Sequence, residues 1–225
     1  MSHGPDGGYE FPDEIPIDAV AAGSTLLVTG PALSRTEDLA LSLVASGTEP
    51  QEGSLFISTN KTAERLLDMC RQLRPAFDAT RAGVIDCSGQ DLGRTRFEAQ
   101  VKSISTQSDL TGIGMKFSSL YESLYADARN GRVRTGLASL SSLSMYVDLR
   151  SLFQFAQTLS GRIDSAGGIG LFTLDPTTHD TQTVNTLGQV ADGRIEVREA
   201  DGVDGELRVR GLAGQSGDWE PFSLP

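Results

Sequence analysis

The sequence is poor in several things, and each shortage excludes something. No apolar run approaches the 18 or so residues of a membrane-spanning helix. There are only two cysteines, Cys70 and Cys87, isolated in sequence and in no CxxC or Cys/His metal spacing. Both read as small buried hydrophobes. Lysine is scarce: Lys61, Lys102 and Lys116 are the only three, against sixteen arginines. Thirty acidic residues outweigh all of these, and the net charge is -11 with a pI near 4.6. A surface of this sign argues against broad contact with phosphate backbones, which needs clustered Lys and Arg. An acid-rich, Lys-poor composition is similar to that of proteins from salt-loving microbes, where salt screens the self-repulsion. The opening "MSHGPDGGYEFPDEIP" lacks the basic start and apolar centre of a signal peptide. It reads as a flexible acidic lead over residues 1–14, before one domain over 15–225 placed in the cytoplasm.

What remains is a regular alternation. "STLLVTG" (24–30), "SLFIST" (54–59), "AGVIDCS" (82–88) and "IGLFTLD" (169–175) are short apolar runs of strand type, and "RTGLASLSSL" (134–143) is a weaker one leading into a turn. Between them lie helical stripes. Leu39, Leu43 and Val44 fall in 36–47, and Leu66, Leu67, Cys70 and Leu73 in 62–73. Phe117, Leu120, Tyr121, Leu124 and Tyr125 fall in 115–131, and Leu149, Leu152, Phe153, Ala156, Leu159 and Ile163 in 149–168. A polar stretch over 89–112 carries at most one short helix. The segment 193–211 alternates around "DGVDG" as an antiparallel hairpin, and 218–224 is a last short strand. Alternating strands and helices imply an α/β fold: a mostly parallel sheet with helices on both faces and a C-terminal antiparallel hairpin.

Ligands of such sheets sit at the carboxyl ends of the strands. The first of these turns has the length of a phosphate loop without its chemistry. A working loop, G-x-x-x-x-G-K-[ST], cradles phosphates with backbone amides, offsets their charge with Lys and binds magnesium through its hydroxyl. Here Gly30 opens the eight positions, but Arg35 replaces the second glycine, Thr36 the lysine and Glu37 the hydroxyl residue. Sliding the register by one would make Arg35-Thr36 stand in for Lys-Thr, at the cost of a loop residue and a misaligned helix stripe. Ser34-Arg35-Thr36-Glu37 also matches a capping box, in which Ser34 and Glu37 would cap the helix that a phosphate would otherwise cap. Nucleotide binding through Arg35 is the competing reading.

With "GSTLLVTGP", "GSLFISTNKTAERLLDMC", "SLSSLSMYVDLRSLFQFAQTLSGRIDSAGGIGLFTLD" and "VADGRIEVRE…ELRVRG" together, the chain resembles the RecA-like P-loop ATPases of the KaiC/RadA-type branch over roughly residues 15–223. It is most similar to divergent, non-catalytic-looking members from salt-loving archaea. The resemblance implies two further site positions. The family's second strand ends in an acid that activates the attacking water; here Thr59 and Asn60 stand there, and neither is a base at neutral pH. Its metal-orienting strand ends in Asp; here Ala138 stands there and cannot hold a magnesium water.

Three parts of an ATP site are therefore absent together. The expected function is a pseudo-ATPase: a non-catalytic regulatory or scaffold module for a protein partner, with no catalytic residue, metal or cofactor, ATP included. The alternative is an ATP-binding switch or weak ATPase working in a homo-oligomer. A nucleic-acid accessory role is disfavoured by the net charge. His179, near Asp175 and Asp180, reads as a turn residue, with a metal or acid–base role as its alternative. Asp180 reads as a helix cap. Asp86 and Cys87 read as structural, though at a strand end that could face the cleft. Arg94, Arg96 and Lys102 read as solvated loop charge, and Trp219 as packing on the sheet edge.

Overall fold

A computed structural model describes residues 7–32, 34–48, 51–90 and 97–224. Nine strands form one sheet: β1 (Thr25–Thr29), β2 (Gly53–Ser58), β3 (Ala82–Asp86), β4 (Gln100–Ser103), β5 (Val133–Ala138), β6 (Ile169–Leu174), β7 (Gly193–Arg198), β8 (Gly205–Arg210) and β9 (Glu220–Phe222). Their order is β4-β3-β2-β5-β6-β1-β7-β8-β9. The first seven in that order run parallel, while β8 and β9 are antiparallel. The expected α/β architecture, hairpin included, is what forms.

The helices are α1 (Thr36–Ala45), α2 (Ala63–Leu73), α3 (Leu110–Asp127), α4 (Leu140–Leu143), α5 (Leu149–Ser165) and α6 (Thr181–Gly188). Strand side chains alternate between two apolar layers, as a doubly covered sheet requires. Leu26, Val28, Phe56 and Leu171 face α1 and α2, packing with Leu39, Leu43, Leu66 and Cys70. Leu27, Leu55, Ile57 and Phe172 face α3, α5 and α6, packing with Phe117, Leu120, Leu152 and Leu159. In α5 the stripe turns slightly from expectation: Phe155 is buried, and Phe153 and Leu149 are only half-buried. Tyr125, expected on the core face of α3, is exposed. No helix among the described residues is long and apolar enough to cross a membrane.

Two segments differ from the sequence reading. The polar stretch contains β4, an edge strand paired only with β3 and lacking fully buried positions, so it carries no two-sided apolar signal. It also contains the start of α3, capped by Asp109, which accepts from the Gly112 amide. Gly112 and Gly114 blur the helical pattern there. Arg94 and Arg96 lie outside the described residues, while Lys102 donates to Ser119 Oγ at 2.7 Å.

The second difference is the expected flexible lead. Residues 1–6 lie outside the described residues, but residues 7–14 are packed down. Tyr9 is fully buried, forms a bridge with Val20 and donates to the Gly167 carbonyl at 3.0 Å. Ile15, Ile17 and Val20 enter the same core. What holds this segment is a cluster at the amino end of the sheet. Glu52 accepts from Arg132 Nε and Arg134 Nε, both at 2.6 Å. Arg134 also donates to the Leu43 and Glu10 carbonyls and to Ser46 Oγ; Arg132 donates to the carbonyls of Gly7 and Gly8. The Arg132 guanidinium lies 3.9 Å from the Tyr9 ring centroid. Burial, partly opposed by Arg132, pushes the Tyr9 hydroxyl up to about 12. Apart from Val20, these partners lie far along the chain, at residues 132–134 and 167, and that is why local composition read the lead as loose.

Candidate functional site

The carboxyl end of the sheet brings together the turns after β1, β2 and β5. After β1 the chain folds tightly back on Gly30. A Cβ there would lie 2.2 Å from Thr36 Oγ1, 2.6 Å from Ser34 Oγ and 2.9 Å from the Val197 carbonyl, so no larger residue fits. Ser34 and Thr36 are both buried, with their hydroxyls 2.7 Å apart. Ser34 donates to the Pro31 carbonyl at 2.7 Å, so the Thr36 hydroxyl is the donor between the two. The turn is thus lined by the protein's own hydroxyls, linked Thr36 to Ser34 to Pro31.

The expected capping box does not form. The residue preceding α1 is Arg35, with φ 59 and ψ 14, and α1 has no side-chain cap. The left-handed backbone at Arg35 turns Ser34 inward to Pro31 instead of onward to residue 37. For a residue with a Cβ this conformation costs about 1–2 kcal/mol, whereas the glycine of a phosphate loop adopts it freely. Glu37 does not reach back either: its carboxylate accepts from Lys61 Nζ at 2.5 Å. Among the described residues, no acceptor meets the amides of Arg35, Thr36, Glu37 or Asp38. Glu37 and Asp38 in the first turn still offset the helix dipole. Arg35 itself points to carboxylates, Asp38 at 2.9 Å and Asp204 at 3.6 Å. Burial pushes the Asp38 carboxyl up, with Arg35 pulling the other way.

Beyond β2, Thr59 is buried and its hydroxyl donates to the Ala138 carbonyl. Its own carbonyl accepts from Gln107 Nε2 at 3.2 Å, while Asn60 is exposed. The structure therefore joins two of the singled-out positions, Thr59 and Ala138, through a neutral hydrogen bond. Asn60 stays apart. Glu37 and Ala138 share a void of only about 10 Å³, with Phe56, Leu66 and Thr173 among its walls. That is room for about one water, so little space is left between α1 and the ends of β5 and β6.

The neighbouring candidates are held in contacts within the fold. Asp86 is buried and accepts from the amides of Ala63 at 2.6 Å and Ser88 at 2.9 Å, anchoring the start of α2. Burial pushes both thiols, Cys70 and Cys87, up to about 12, which leaves them poor nucleophiles at neutral pH. His179 Nε2 lies 2.9 Å from Ser141 Oγ, and Ser141 also accepts from the Asp175 amide, so this pair ties the short helix α4 to the loop after β6. No group of three or more His, Cys, Asp or Glu side chains able to hold a metal occurs among the described residues. Asp180 caps α6 through the Thr183 amide, as expected. Trp219 stacks with Arg198 and Arg208, 4.2 and 4.4 Å from its ring centroid, against the antiparallel edge.

Sequence reasoning missed Lys61, the partner of Glu37, and Asp204, a partner of Arg35. Lys61 had a signal. It is one of three lysines and directly follows the β2 end, where a cation would answer the carboxylate newly placed in the first turn. Asp204 had none, since it reaches Arg35 from the β7–β8 turn.

Comparison with known proteins adds two findings. The model of a family of unknown function, DUF7504, matches residues 23–197. Among solved structures, the chain is similar to the KaiC-like protein PH0186 of the hyperthermophilic archaeon Pyrococcus horikoshii OT3, at 11% identity and a TM-score of 0.60, covering 91% of this chain and 90% of that one. At that identity the likeness concerns the fold alone, and the fold is of the RecA/KaiC type. No curated protein matches the chain.

Proposed function

The chain belongs to DUF7504, a family of unknown function, and we propose that it works as a non-catalytic RecA/KaiC-like domain, a regulatory or scaffold protein that binds a protein partner in the cytoplasm. One observation carries this reading: the positions that would do ATP chemistry are spent on each other. Glu37 is held by Lys61, Thr59 is held by the Ala138 carbonyl, and Ser34 and Thr36 line the turn that a phosphate would occupy. A phosphate placed there would meet Thr36 where the loop chemistry needs a lysine, and the Glu37 carboxylate where it needs a metal-binding hydroxyl. Neither Thr59 nor Ala138 supplies a base or a magnesium ligand. The test is thermal unfolding with Mg-ATP and with ADP in high KCl, together with a phosphate-release assay. The reading expects no shift and no turnover.

A second reading rests on a different observation. The first-turn amides of α1 have no protein acceptor among the described residues, and Arg35 stands beside them. That arrangement favours weak binding of a nucleotide's phosphates, as in a switch assembled from several copies. Under this reading Arg35→Ala abolishes nucleotide binding; unchanged affinity in that variant sinks it.

A further inference from the structure

The partner surface has a candidate of its own, away from the loop after β1. Helices α3 and α5 lie side by side on one face of the sheet and leave a groove of about 720 Å³ between them. Leu110 and Met115 line it from α3; Val147, Phe155 and Leu159 line it from the α5 side, with Tyr146 at the mouth. Along α5 the lining runs from Asp148 to Arg162, about 21 Å at the helical rise, or four turns. The described residues include five exposed large hydrophobics, and two of them line this groove, Met115 at 70% exposure and Tyr146 at 52%; Met145, at 80%, adjoins Tyr146 in sequence. Methionine is the adaptable apolar side chain that surfaces binding helices favour.

The charges of the groove favour one kind of occupant. The charged residues lining it are Asp109, Asp148 and Arg162. Arg162 is turned onto α3, donating to the Gly114 carbonyl and to Ser118 Oγ, so it stitches the two helices together. Asp109 and Asp148 cap the two helices and line the groove with Met115 and Tyr146. The amide and hydroxyl of Ser151 hold the Asp148 carboxyl below the usual carboxylate range, so it is charged at neutral pH. The groove therefore combines exposed Met115 and Tyr146 with the polar side chains of Ser151, Gln154 and Thr158, and has a negative rim. A second copy of this chain would bring a net charge of -11 and the same rim, a poor complement.

We propose that the α3–α5 groove docks an amphipathic helix of a partner protein, about four turns long, with apolar anchors along one stripe and Lys or Arg at the end beside Asp109 and Asp148. The proposal rests on the partner-binding reading above. Its test uses the full chain and three fluorescent peptides of about 16 residues: a Leu/Met-striped helix with Lys at one end, a scrambled version, and a version with Glu in place of Lys. Only the first is expected to bind in anisotropy titrations. Met115→Glu and Tyr146→Asp alter exposed side chains that the core does not use, and each is expected to weaken binding at least about tenfold. Asp148→Asn keeps a capping side chain while removing the charge, and is expected to weaken binding several-fold in low salt and less in high salt. Equal binding of the scrambled or acidic peptide, or indifference to Met115→Glu and Tyr146→Asp, overturns the proposal. So does a dimer in sedimentation that Met115→Glu dissolves, because then a second copy fills the groove. Nucleotide assays on the same variants keep the two readings apart. ATP turnover would defeat the non-catalytic reading and leave the groove standing, while lost peptide binding without turnover would do the reverse.

Discussion

Strand β5 carries Arg134 near one end and Ala138 at the other, and the two ends of the sheet treat charge in opposite ways. At the amino end, Arg134 and Arg132 are matched to Glu52, and Arg134 is further bonded to two carbonyls and a hydroxyl. The Arg134 and Glu52 side chains are only 3% and 7% exposed. At the carboxyl end stand the neutral Thr59 and Ala138, where the proposed reading looks for the acids of an ATP site. The Lys61–Glu37 pair there is 21% and 35% exposed, and Arg35 beside it pairs with Asp38 and Asp204. A buried charge persists only where its partners are all present. The amino end supplies every partner from within the chain. At the carboxyl end a phosphate loop relies on a ligand for some of them, and here the protein's own hydroxyls and an ion pair stand in that place. One end is thus built for stability, and the other, on the function proposed above, is a nucleotide loop kept as architecture.

The largest effect that could break this comparison belongs to the amino end. Glu52→Ala leaves two guanidinium groups facing each other without their shared carboxylate, and is expected to cost about 3–5 kcal/mol in denaturant unfolding. A cost under about 1 kcal/mol would mean that the cluster does not hold the sheet as described. Next comes Tyr9→Ala, which removes a fully buried ring under Arg132 and is expected to cost about 3 kcal/mol. It should also expose residues 7–20 to proteolysis before global unfolding. A smaller effect is expected at the carboxyl end. Because the Lys61–Glu37 pair is partly exposed, Lys61→Met should cost no more than about 1 kcal/mol, and less in high salt. The smallest expected effect sharpens the functional side. Arg35→Gly/Thr36→Lys/Glu37→Thr rebuilds the loop motif, yet ATP hydrolysis should stay at background, since Thr59 and Ala138 still lack the base and the metal-orienting acid. Turnover in that variant would show that the loop alone had been limiting.

How much of this could be read from the sequence follows from the range of the interactions involved. The parallel sheet and its hairpin were legible because β1, β2, β3 and β6 are apolar runs and the helices between them carry clean stripes. Edge strand β4 was not, because half-buried Gln100, Val101 and Lys102 look like a loop. The folded lead was not, because Tyr9 finds its partners more than a hundred residues away. At the candidate site, the position of Gly30 followed from a strand end and those of Thr59 and Ala138 from the resemblance to the RecA-like ATPases, but what each side chain does there did not. Ser34 to Glu37 satisfied the capping pattern, and the left-handed turn at Arg35 defeated it, a backbone state that local sequence gives little reason to expect from arginine. Lys61 then took the carboxylate that the cap would have used.

The central claim is that the loop after β1 no longer serves nucleotide, and thermal unfolding of the full chain in molar KCl, with and without saturating Mg-ATP, tests it most directly. The account predicts superimposable transitions, with ADP and magnesium alone behaving the same way. A magnesium-dependent rise in Tm that saturates with ATP would contradict it, because a ligand that binds only the folded state stabilises that state in proportion to RT ln(1 + [L]/Kd).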